Sequence, residues 1–138
     1  MEVEINYWAV LLAAISSMVV GSIWYAKGVF GAAWMKLAKV DKNKPYSTVV
    51  AIGLTFVVSL ITAYILAHVT FLSNNFFHNS FMQDALTTAF WLWLGFTAAR
   101  FLTHDLFEGR PWKLTFMNAM HELITVVIMA LIIGAMGV

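Results

Sequence analysis

All eight Lys and Arg residues of this 138-residue chain fall into two segments, and the long stretches outside them carry almost no charge. Lys27, Lys36, Lys39, Lys42 and Lys44 form the first group; Arg100, Arg110 and Lys113 form the second. A helix that crosses a hydrocarbon core needs about 20 predominantly apolar residues. Four stretches supply that length, at 7–26, 47–68, 81–103 and 112–136. The second is rich in Val and Ile, yet it reads as a helix, because an unpaired strand in lipid leaves its backbone unsatisfied. Composition agrees: 62% of residues are hydrophobic and 11% charged, against about 25% charged in soluble domains. Mean hydropathy is +0.82. The reading is an all-α integral membrane protein, a single transmembrane domain of four helices.

The third span needs its caps to reach full length. From Asp84 to Arg100 the uncharged run gives about 22 Å of helix, short of a core of about 30 Å. Ser80 and Gln83 form a capping-box pattern that starts the helix at Phe81. Carrying it to Thr103 leaves Arg100 about one turn from the end, where its long side chain snorkels to the headgroups. Gly109 suits a left-handed helix end and Pro111 the first turn of the next helix.

Between the first two spans, Phe30, Ala33, Trp34, Leu37 and Val40 share one helical face and Lys36 and Lys39 the other. Too short to cross, segment 28–40 is expected as a short interfacial helix, ended by Lys42-Asn43-Lys44-Pro45. Trp24, Tyr25 and Trp34 are expected as anchors at the membrane–water interface. Segment 69–79 is expected as a loop. Small residues recur four apart at Ala13, Ser17 and Gly21, at Ser59, Ala63 and Ala67, at Gly95 and Ala99, and at Ala130 and Gly134. Such stripes let membrane helices approach closely.

The fourth span carries the chemistry. Asn118, His121, Glu122 and Thr125 fall within about one third of the helix circumference, and Met129 continues that stripe. Met120, Leu123 and Val127 point the other way, toward lipid. A carboxylate taken into a membrane needs a partner or a proton. Arg100 is a candidate partner, with His121, His104 or another subunit as alternatives. The stripe is either a hydrogen-bonded lock between helices or a site for a proton, ion or small ligand. His121-Glu122 lacks the second histidine of a zinc-protease motif, with Thr125 one place short of its position, so no metal site is expected. With no cysteine, thiolate chemistry and Cys-ligated metals are excluded. A net charge of +1 offers no basic field for nucleic acid. Glu2 and Glu4 stand where a cleaved signal peptide carries positive charge. No cofactor is expected.

Three stretches together resemble a known bacterial membrane family. They are Phe107-Glu108-Gly109-Arg110-Pro111-Trp112 followed by Asn118-Ala119, Gly21-Ser22-Ile23-Trp24-Tyr25, and Phe30-Gly31-Ala32-Ala33-Trp34-Met35-Lys36. They are similar to the signature of the family known as domain of unknown function 1761. The resemblance implies a small four-span protein of the bacterial cytoplasmic membrane and supplies no reaction. His121-Glu122 departs from the aromatic or apolar residues usual there in that family.

The function expected is that of a non-enzymatic accessory or self-assembling membrane component. The alternative is a small proton, ion or small-molecule transporter or channel that uses the polar stripe. The expected partners are the lipid bilayer and either further copies of the chain or a larger membrane complex. Positive residues mark cytoplasmic loops, so an even number of spans puts both charged segments in the cytoplasm and both termini outside. A reporter active only in the cytoplasm, fused after Val138, should therefore be silent; activity there would reverse this topology.

Overall fold

The structure, a computed structural model, describes residues 3–40 and 46–138. The described chain is all-helical, and four of its helices are long and apolar enough to cross a membrane. Helix α1 spans Tyr7–Trp24. A π-helical turn at Lys27–Gly31 leads into the short α2, Ala32–Ala38. Helix α3 runs Thr48–Phe77. Helix α4 runs Phe81–Phe107, with a π-helical stretch at Trp93–Ala98, and α5 runs Trp112–Met136. Lys42-Asn43-Lys44-Pro45, the expected end of the interfacial segment, lies outside the described residues.

Each helix starts and stops for a local reason. Asn6 caps α1 by accepting from the Ala9 amide at 3.2 Å. Ser47 and Ser80 cap α3 and α4 in the same way, each accepting at 3.3 Å from the amide three residues on. At the far end of α4, Gly109 takes φ +65°. Its amide donates to Leu106 O at 3.3 Å and that of Arg110 to Asp105 O at 2.9 Å. This crossed pair is the Schellman ending. Pro111 then sits just before the first turn of α5.

One expected boundary is corrected. Segment 69–79 is not a loop through most of its length, because α3 continues to Phe77. No Gly or Pro interrupts that stretch. Asn75 returns its side chain to Phe71 O at 2.9 Å, so it need not break the helix. The helix ends where His78 adopts the left-handed conformation, φ 56°. At about 1.5 Å per residue, 30 residues make about 45 Å, longer than the hydrocarbon core. The segment after α1 is also reshaped. Its α-helical part is only Ala32–Ala38, preceded by the π-helical turn, and Lys39 ends it at φ 49°. Gly31 is buried in the turn before it, where an added Cβ would lie 2.1 Å from the Tyr25 carbonyl oxygen.

The four long helices form a ring in which α1 packs on α3 and α5, and α4 packs on α3 and α5. The core at the seams is mostly alanine, including Ala13, Ala63, Ala85 and Ala130, with Met129 and Ile133 filling the centre. Three of the small-residue stripes lie in these seams. Ser17 meets Ser59 at 2.8 Å between hydroxyls, joining α1 to α3. Gly21 faces His121, and Gly134 lets α5 press on Met82 of α4. The fourth stripe, Gly95 and Ala99, faces outward. Because α5 has neighbours on two sides, Met120, Leu123 and Val127 are half-buried rather than lipid-exposed.

Helix α3 does not keep contact along its whole length. Residues 48–55 are all exposed, and burial begins at Ser59. Its N-terminal turns lean away from α1 and α5 and leave an opening between the three helices.

Gly134 gives a direct test of the α4–α5 seam. A Cβ there would lie 2.8 Å from the Met82 Cα, so the backbones must separate. Gly134→Val should cost about 1–3 kcal/mol in denaturant or thermal unfolding in detergent. Gly53→Ala, where an added Cβ meets open space, should not destabilise.

Candidate functional site

The opening between α1, α3 and α5 is a cavity of about 480 Å³. Helix α1 contributes Ser17, Gly21 and Ser22, and Tyr25 follows it. Thr55, Ser59 and Thr62 come from α3, and His121, Glu122, Thr125 and Met129 from α5. It runs from Tyr46, at the end where the basic segments gather, to the Ser17–Ser59 contact where α3 closes against α1. A groove walled by three membrane helices and holding a carboxylate is a place where an ionisable group is kept for use or for packing.

Glu122 places one oxygen 3.1 Å from His121 Nδ1. Its side chain is 37% exposed and that of His121 12%. The second ring nitrogen, His121 Nε2, is buried and has no hydrogen-bond partner. This favours the neutral tautomer with its proton on Nδ1, donated to Glu122: a bare lone pair costs less to bury than an unpaired N–H. Thr125 is buried and donates to His121 O at 2.9 Å, holding its hydroxyl to its own helix. The ring of His121 lies 4.9 Å from that of Tyr25 and 6.0 Å from that of Trp24.

Asn118, one turn nearer the start of α5, does different work. Its Oδ1 accepts from the Trp34 indole at 3.1 Å and from the Tyr25 hydroxyl at 3.4 Å. It thereby ties α2 and the end of α1 to α5. Trp24, Tyr25 and Trp34, expected as interface anchors, are half-buried and turn toward one another and α5. Trp24 packs against Phe30 with ring centroids 4.4 Å apart, and its indole nitrogen is buried without a partner. Residues from two of the signature stretches therefore meet Asn118 beside the groove.

Arg100 does not join them. It is exposed on α4, and among the described residues no ion pair links it to Glu122. His104 is likewise exposed, so His121 is the partner that Glu122 finds. The turn Phe107, Glu108, Gly109, Arg110, Pro111 and Trp112 is exposed throughout. There Arg110 pairs with Glu108, and with Asp105 at 3.7 Å. Asp105 also accepts from Thr115 at 2.6 Å, fastening α4 to α5.

Sequence reasoning missed Asp84. Its carboxylate is 2% exposed and accepts from Asn74 at 2.9 Å and Asn79 at 3.0 Å. Two amides and the first turn of α4 stabilise its charge there. The signal was present as Asn74, Asn79 and Asp84 at five-residue spacing, but it was obscured by treating 69–79 as a loop. Among the described residues no cluster of three His, Asp or Glu side chains is placed to hold a metal ion.

The Asn118 acceptor should matter for stability. Asn118→Leu strands the Trp34 and Tyr25 donors and should cost about 1–3 kcal/mol, read from thermal unfolding in detergent. Asn118→Asp, which keeps the acceptor, should cost less.

Comparison with known proteins places the whole bundle in one family. No curated protein and no solved structure matches the chain. A family described as protein of unknown function, DUF1761, matches over residues 8–134, which takes in all four spans and the residues of the groove. This chain belongs to that family.

Proposed function

We propose that this protein is a non-enzymatic component of a membrane that binds a small molecule or ion in the groove between α1, α3 and α5. Glu122 is its binding carboxylate. One observation carries this reading. Glu122 is the one charged side chain among the described residues that line the groove, and its only hydrogen-bond partner among them is His121. A pure lock buries both oxygens among donors, as Asp84 does at the other end of the bundle. Glu122 instead keeps 37% of its side chain open. Transport follows if the groove opens alternately to both sides, and a pore follows if several copies surround it.

A second reading, self-assembly or service as an accessory subunit, is favoured by Gly95 and Ala99. They are outward-facing, and a Cβ added at Gly95 meets open space. The basic groups around Lys27 and Arg110 support placing that end in the cytoplasm of a bacterium, with both termini outside. The lipid bilayer is then the first partner, and nucleic acid is not one.

A carbodiimide applied at acidic pH, where carboxylates take up protons, tests the groove directly, because it modifies protonated carboxyl groups that an apolar reagent can reach. Dicyclohexylcarbodiimide applied to the folded protein in lipid should leave an adduct on Glu122, mapped by mass spectrometry and absent in Glu122→Gln. The Gln variant should insert and melt as the parent does. If Glu122 reacts only after denaturation, the groove is closed and the pair is a lock.

A further inference from the structure

Most hydroxyls of the groove wall around Glu122 have already given their proton to the protein; those of Tyr46 and Thr48, toward the open end, have no acceptor among the described residues. A hydroxyl carries one proton and two acceptor lone pairs. Thr55 donates its proton to Ala51 O at 2.8 Å, Thr62 to Val58 O at 3.0 Å and Ser22 to Met18 O at 2.7 Å. Thr125 is committed to His121 O and Tyr25 to Asn118. What these groups have left is lone pairs. With the proton of His121 on Nδ1, it too is directed at Glu122. Such back-bonding is the usual habit of Ser and Thr on apolar helices. Its consequence here is a wall of acceptors around a carboxylate.

We infer that the groove takes an amphiphilic organic ammonium ion, a conclusion that rests on the groove being the binding site proposed above. The ammonium meets Glu122 and the hydroxyl oxygens. Tyr25 and Tyr46 add aromatic rings to the lining, whose faces attract cations. The apolar body lies along Met18, Ile52 and Val58, which also line the groove. The volume of about 480 Å³ fits a ligand of that kind. An anion meets no Lys or Arg among the described lining residues, and a metal ion finds one carboxylate where it needs several ligands. A phosphatidylethanolamine headgroup has the right ammonium but brings a phosphate that meets no Lys or Arg among the described lining residues, so the ligand assigned is a free amine.

The test uses the full chain in phosphatidylcholine nanodiscs and three probes with one apolar body: 4-phenylbutylammonium, 4-phenylbutanol and 5-phenylpentanoate. The ammonium should bind saturably and shield Glu122 from the carbodiimide, while the alcohol and the carboxylate do neither. Its affinity should fall at least tenfold in Glu122→Gln. It should also fall in Thr55→Phe, which fills the groove from an exposed position and leaves the carboxylate in place. Carbodiimide labelling of Glu122 with no preference for the ammonium would overturn the ligand class while leaving the groove as a site. Equal ammonium binding by both variants and the parent would overturn it as well. Shielding of Glu122 by added phosphatidylethanolamine alone would assign the ammonium to lipid and overturn the free-amine conclusion. Failure of the carbodiimide to reach Glu122 in the folded protein would overturn the groove reading itself.

Discussion

Close approach of helix backbones is the constraint on which this bundle depends. In lipid there is no hydrophobic gain from burying Leu against Leu, so helices associate through packing and interhelical polar contacts. Alanine and glycine along the seams of α1, α4 and α5 provide the packing. The ring geometry follows, with α5 held on two sides. That position explains why α5 carries the polar stripe: it is the helix with the most protein around it. The same dependence explains the groove. Where the small-residue stripe on α3 ends at Ser59, toward the helix start, nothing draws α3 onto α1, and the two diverge.

The carboxylates and asparagines that join helices fall into two kinds. Those at the ends are closed. Asp84 is enclosed by Asn74 and Asn79, Asp105 by Thr115 and Arg110, and Asn6 reaches Met136 O at 3.5 Å. These contacts set the register of neighbouring helices. Glu122, in the middle of the chain's last helix, is held on one side only. A half-satisfied carboxylate in a membrane is expensive to keep, and this one lies beside the cavity proposed as a binding site. The aromatic cluster of Trp24, Tyr25, Phe30 and Trp34 gives that cavity a firm rim. Its contacts run through Asn118 on the same helix as Glu122.

The signature stretches were legible in the sequence as motifs but not as a place. Gly21 to Tyr25, Phe30 to Lys36 and Asn118 are far apart along the chain. Nothing in their periodicity indicated that Trp34 would turn inward to Asn118. Read as a lipid-facing anchor, it satisfied the interface pattern equally well, because Trp is amphipathic and fits both settings. The partner of Glu122 was open for a similar reason. Arg100 had the charge and a plausible depth, but its rotation about α4 is set by packing, which turns it outward.

The sequence by itself determined the all-α class, the four apolar helices and where most of them begin. Charge distribution and hydrophobic length are properties of the chain alone; lipid admits only helices and closed barrels, and apolar runs of about 20 residues suit helices. It also determined which face of α5 is polar, since helical period is local. The tertiary structure decided that α3 runs on to Phe77 and that Asp84 is enclosed by two asparagines. It also decided that the polar face opens onto a groove whose hydroxyls have mostly given up their protons. Those outcomes depend on how closely one helix lies against another along its length, and that distance is set by pairs of residues far apart in the chain.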